Sequence, residues 1–152
     1  MRAVKRWRYY CDHCKKVSGQ RSAMEQHESS CTLNPQRTCK LCAFLNGGNG
    51  TPLPEMLARL PDPAQHMRTI PADEWGMEED QVIDDEALRA ATHAALPALR
   101  ELTEDCPVCI LAALRQRGIP VPLVTEFNFT NEMKAAQSAM NDARQEREGP
   151  YY

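Results

Sequence analysis

Large aromatic side chains are scarce in this sequence, at 6% of its residues, and seven glycines and eleven prolines interrupt it often. A chain of 152 residues so supplied builds a thin core, and thin cores commonly need a staple such as a bound metal. No run of 18 consecutive apolar residues occurs, which excludes a transmembrane helix. The segment 1–10 is basic but lacks the apolar stretch and small-residue cleavage site of a signal peptide. The expectation is a cytoplasmic, reducing compartment, where seven cysteines serve as metal ligands rather than as disulfides. A glycine-rich phosphate loop, a serine nucleophile turn and a catalytic carboxylate pair are also missing. The acidic run Asp84-Asp85-Glu86 reads as a helix N-terminus, where the dipole favours acids. These absences point away from an enzyme, a small-molecule substrate and a membrane.

The composition is otherwise that of a folding chain, with 42% hydrophobic and 26% charged residues. The net charge of −3 conceals an asymmetry. Residues 1–42 hold nine basic and three acidic side chains, a net +6, and the remainder carries −9. A basic head therefore precedes an acidic body.

The head contains Cys11-x2-Cys14-x12-His27-x3-Cys31. A Cys-x2-Cys knuckle turns tightly enough to aim two thiolates at one ion, and residues four apart share one face of a helix. Four such donors suit tetrahedral Zn2+. Two further knuckles, Cys39-x2-Cys42 and Cys106-x2-Cys109, lie 63 residues apart and can form a second site if the intervening chain returns to its start. Seven cysteines and His27 then make two complete tetrahedra, with no cysteine left over and no position open for water. That arithmetic favours two structural zinc ions and leaves His13, His66 and His93 as surface or packing residues. Cys106-Pro107-Val108-Cys109 at a helix start is also the arrangement of a redox-active Cys-x-x-Cys. That alternative lacks a surrounding βαβ pattern and leaves Cys39 and Cys42 without a purpose.

Residues 9–31 resemble the CCHC variant of the classical zinc finger. Tyr9 stands at the family's aromatic position before the first cysteine, and Met24 at its apolar helix position. Ser18 stands where the family usually has an aromatic, with Val17 as a possible substitute. The resemblance implies a ββα-like finger whose base-reading positions would be Gln20, Ala23 and Gln26. The whole chain also resembles small, mostly uncharacterised zinc-finger proteins of bacteriophages and prophages. The residues behind this are Tyr10-Cys11-Asp12-His13-Cys14, His27-Glu28-Ser29-Ser30-Cys31, Asn34-Pro35-Gln36-Arg37-Thr38-Cys39 and Cys106-Pro107-Val108-Cys109. It implies a virion or host-takeover component.

The expected architecture is a small, mostly α, zinc-stabilised domain in three regions. Residues 1–35 form the finger and its basic arm, with a strand at 7–10, a turn at Ser18-Gly19 and a helix at 21–30. Residues 36–125 form a helical body closed by the knuckle pair. In it, a loop at 46–52 precedes a short helix from Pro54 to Leu60, and residues 62–80 read as an acidic surface loop or a partly ordered excursion. A helix over 84–104 should be kinked or split by Pro97, and another should run from Cys106 to Gly118. Residues 119–122 and 124–129 read as extended. Residues 126–152 form a final helix and tail, with Thr130 as cap and Met133, Ala136, Met140 and Ala143 on one stripe, expected to pack on the body.

Two functions fit these features. The first is a zinc-stapled adaptor with a protein partner in a larger assembly, cytoplasmic or virion-associated. The second is nucleic-acid binding through Arg2, Lys5, Arg6, Arg8, Lys15, Lys16, Gln20 and Gln26. Binding of that kind would be driven by the backbone and sensitive to salt, since one finger covers only about 3 bp. The acidic bulk of the chain favours the adaptor.

Overall fold

The computed structural model describes residues 6–149, and it is mostly helical with two small sheets. The head begins with β1 (Tyr9–Tyr10) and β2 (Val17–Ser18), an antiparallel pair that closes the Cys11–Cys14 knuckle between them. Ser18 therefore belongs to the return strand, and the knuckle itself supplies the turn expected at Ser18-Gly19. Helix α1 (Arg21–Ser30) follows and buries Met24 alone. The small core here is Cys11, Met24 and Cys31, with Tyr9 and Cys14 against it. Val17 does not fill the missing aromatic position, because it is 41% exposed. The head instead leans on the body. Arg115 Nη1 donates to Thr32 Oγ1 at 2.7 Å, and Gln116 Nε2 donates to the carbonyls of Thr32 and Asn34 at 3.0 and 2.9 Å.

The body is built around α5 (Pro107–Arg117), which buries seven of its residues and touches α3, α4 and α6. A helix apolar nearly all round belongs in the middle of a bundle. Around it stand α2 (Lys40–Asn46), α3 (Leu53–Ala58), α4 (Asp85–Thr103) and α6 (Phe129–Glu148). Gly47 ends α2 and Gly118 ends α5, both in the left-handed conformation glycine adopts without strain. Asp84 caps α4 by accepting from the Ala87 N–H at 3.0 Å, with Asp85 and Glu86 in the first turn. That accounts for the acidic run without chemistry.

Four expectations need correction. Residues 62–80 are not simply a loop, because β3 (Met67–Ile70) and β4 (Asp80–Ile83) pair across them as an antiparallel hairpin. Helix α4 is not split at Pro97 but runs through it as one element, with Pro97 on its exposed face. Residues 121–123 form a 3-10 turn rather than an extended stretch. Helix α6 starts at Phe129, and its cap is Asn128, whose Oδ1 accepts from the Asn131 N–H at 3.0 Å, rather than Thr130.

Met133, Ala136 and Met140 pack on the body as expected, while Ala143 is exposed. Arg100 of α4 fastens α6 with a two-pronged ion pair to Glu132 at 2.9 and 2.7 Å, and lies 6.0 Å from the Phe127 ring. No described helix is long and apolar enough to cross a membrane.

Candidate metal centres

Two tetrads of donor atoms emerge from this fold. Cys11, Cys14, His27 and Cys31 form one, and Cys39, Cys42, Cys106 and Cys109 the other. Within each, the donor atoms lie within 4.8 Å of one another. These are the eight residues singled out from spacing, and together they use every cysteine in the chain.

The N-terminal tetrad is assembled by the hairpin and α1. The His13 N–H donates to Cys11 Sγ and the Lys16 N–H to Cys14 Sγ, both at 3.4 Å, so the knuckle backbone already cradles its sulfurs. His27 and Cys31 arrive from the last turn of α1 and its C-cap. His27 Nε2 lies 3.2 Å from Cys14 Sγ. Partial burial and then the charge of Lys16 hold the imidazole below its ordinary pKa, which favours the neutral, ligating form. The Lys16 N–H lowers the Cys14 thiol, whereas burial raises Cys31.

The second tetrad is wholly buried. Cys39 is the N-cap of α2 and Cys106 the N-cap of α5, so each knuckle is a cap followed by the first helical turn. Pro107 stands in the first turn of α5, where a missing N–H costs nothing. The two helix starts face each other, with Cys39 Sγ 3.7 Å from Cys106 Sγ and Cys42 Sγ 3.7 Å from Cys109 Sγ. All seven cysteines are free thiols in this arrangement. A tetrahedron with Zn–S bonds of about 2.3 Å has S–S edges of about 3.8 Å, so the sulfurs stand at the right separation for one ion. Their electrostatics agree. Hydrogen bonds from Cys106 and Cys109 pull the Cys39 thiol far down, while the bonds to Cys109 and Cys39 push Cys106 far up. Burial pushes Cys42 up to about 12. Four thiolates brought together call for a cation among them.

Two neighbours of this tetrad were not singled out from the sequence. Gly50 turns the loop at φ +91°, and a Cβ there would lie 2.6 Å from Cys39 Cβ. The neighbouring Asn49 carbonyl accepts from the Cys39 N–H at 2.8 Å. Arg37 Nη1 reaches to 4.0 Å from Cys109 Sγ, and its Nε and Nη2 are buried without an acceptor. The Gly-Asn-Gly run signalled a loop, but only chain closure across 63 residues reveals what it lies against.

Searches against protein-family models, curated proteins and solved structures found no match to this chain.

The remaining sequence candidates lie on the head. Arg6, Arg8, Lys15, Lys16, Gln20 and Gln26 are exposed, and Arg2 and Lys5 lie outside the described residues. The basic surface is interleaved with acids. Arg21 pairs with Glu25 at 2.8 Å, and Glu28 Oε1 accepts from the Asp12 N–H at 2.9 Å. His13 is exposed, and His66 and His93 are half-buried away from both tetrads.

A separate apolar cleft of about 430 Å³ opens where α2, α5 and α6 meet. Leu41, Phe44, Val108, Met133 and Met140 line it, together with Ser30, Arg37 and Lys40. Phe44 is 66% exposed there.

Proposed function

We propose that this chain is a non-enzymatic, two-zinc docking protein. In this reading β1, β2 and α1 form a CCHC finger around one structural zinc. A second zinc on Cys39, Cys42, Cys106 and Cys109 locks the helical body. The observation that carries the reading is the grouping of all seven cysteines and His27 into two closed tetrads. A closed tetrad leaves no position for water or substrate, which marks structural rather than catalytic zinc. Such an ion contributes roughly 10–16 kcal/mol of apparent binding energy in finger peptides, enough to offset a thin core. The apolar cleft lined by Leu41, Phe44, Met133 and Met140 supports a role in holding a protein partner. The likeness to small phage zinc-finger proteins extends the reading to a virion or assembly component.

The test is metal content measured on the purified protein. The expected result is two zinc per chain, one lost in Cys11→Ser/Cys14→Ser and the other in Cys39→Ser/Cys106→Ser, with helical circular dichroism collapsing on chelation. Persistent circular dichroism with zinc measured as absent would falsify the structural role.

The second reading, nucleic-acid binding, draws on the exposed Arg6, Arg8, Lys15 and Lys16. It predicts binding to duplex or single strands that weakens steeply with salt and in Arg6→Ala/Arg8→Ala. Absence of salt-dependent binding at micromolar protein would remove it. The acids set among these bases make it the weaker of the two.

A further inference from the structure

The chain carries, at another place, the chemical complement of its own cleft. The segment linking β3 to β4 presents Trp75 at 87% exposure and Met77 at 64%. Asp73, Glu74, Glu78 and Glu79 surround them. This tip is held in shape. Asp73 Oδ1 accepts from the Trp75 N–H at 3.0 Å and from the Met77 N–H at 2.9 Å, and the Asp73 N–H donates to the Met77 carbonyl at 3.2 Å. A tryptophan presented on an ordered turn is a typical binding anchor, because little freedom remains to be lost on docking. The cleft offers what such an anchor needs. Its wall of Leu41, Phe44, Met133 and Met140 is apolar, and methionines adapt to an aromatic guest. Its lining includes the exposed Lys40, opposite in sign to the acids around Trp75.

We infer that the Trp75 tip of one copy docks in the α2–α5–α6 cleft of a second copy. This goes beyond the adaptor reading, because the occupant is the chain itself. Tip and cleft are different surfaces, so the contact is head-to-tail. Each docked pair retains one free tip and one free cleft, and the assembly grows until a ring closes or the protein is exhausted. One anchor and its surround make a small interface of the transient class, so association belongs at high protein concentration.

The experiment is sedimentation of the zinc-loaded full chain up to about 200 µM, at low and high salt, with zinc content measured on the same samples. The expected result is a mean mass that rises with concentration and falls with salt. Trp75→Ala and Phe44→Glu change exposed side chains and should each remain monomeric. Their equimolar mixture should form a dimer and nothing larger, because only one competent tip meets one competent cleft. Trp7→Phe leaves Trp75 as the sole tryptophan, and its emission should shift to the blue as mass rises. A wild type that holds two zinc and stays monomeric overturns self-docking, leaves the zinc reading standing and gives the cleft to a different partner. Association of Trp75→Ala like the wild type, a mixture that does not pair, or emission that stays red in an assembling sample also overturns it.

Discussion

Gly50 lies directly against Cys39: a Cβ at position 50 would sit 2.6 Å from Cys39 Cβ and 3.2 Å from Cys109 Sγ. Its φ of +91° is also outside the range side chains tolerate. Both partners are donors of the buried tetrad, so neither can retreat without spoiling the tetrahedron. Gly50→Ala should therefore combine backbone strain of about 1–3 kcal/mol with a displaced ligand. The expected outcome is a lower melting temperature and loss of one zinc per chain, read by thermal unfolding and metal analysis. Gly47→Ala, at φ +72° but with nothing near its Cβ, should destabilise while retaining both ions. Equal zinc loss in the two variants would show that strain, and not contact with the tetrad, is what matters.

Arg37 stands beside the same tetrad. Four thiolates around a divalent cation leave a net charge of −2, in a buried site. The Arg37 guanidinium, with Nη1 4.0 Å from Cys109 Sγ and two buried nitrogens lacking acceptors, stands where it offsets that charge. Outer partners of metal ligands commonly change affinity by about 10–100-fold. Arg37→Met, which keeps the side chain's length without its charge, should speed zinc transfer to a chromophoric chelator by roughly tenfold. Arg37→Lys should recover part of the difference. Identical transfer rates in wild type and Arg37→Met would confine Arg37 to packing.

The two centres should also part on acidification. Burial and then Lys16 hold His27 below its ordinary pKa, so the folded state binds fewer protons there than the unfolded one. Its contribution is complete above about pH 6.5 and fades as pH falls through the depressed value. Zinc acts with the same sign, because ligands must shed protons to bind it. Cys14 and His27 are half-buried, whereas every donor of the second tetrad is buried. Zinc release to a chelator should therefore be biphasic, with a fast phase that accelerates below about pH 6.5 and is missing in His27→Ala. A single, pH-independent phase would contradict the assignment of the exposed site to the fast step.

Where the structure was legible in the sequence, the signal was local. The tetrads could be read because knuckle spacing and the four-residue step from His27 to Cys31 are properties of neighbouring residues. Helices α4 and α5 could be read from apolar periodicity, and Gly118 from its place after the last turn. The β3–β4 hairpin could not, because most of its residues are exposed, so no alternation of apolar and polar residues marks it. Its pairing rests on β-branched residues and on cross-strand contacts such as Gln81 Nε2 donating to Thr69 Oγ1 at 2.6 Å. Helix α2 is seven residues long, too short to show a period. Gly50 and Arg37 acquire their roles only when residues 39–42 and 106–109 meet.

Pro97 shows tertiary packing overriding local propensity. A proline inside a helix removes one hydrogen bond, crowds the carbonyl four residues back and costs about 3 kcal/mol. Helix α4 is nonetheless continuous, and the buried side chains on either side of Pro97 explain why. Leu88, Leu96 and Leu99 are 0%, 2% and 0% exposed. Each fully buried leucine contributes about 1.5–3 kcal/mol, so three of them outweigh the proline. Pro97 itself is exposed and gives up no buried contact of its own. If that balance is right, Pro97→Ala removes a cost without removing a contact. The zinc-loaded variant should gain about 1–3 kcal/mol in denaturant unfolding, at an unchanged slope and with both ions retained. A neutral or destabilised variant would mean that α4 is bent at Pro97 to fit α5, and that straightening the helix breaks this packing.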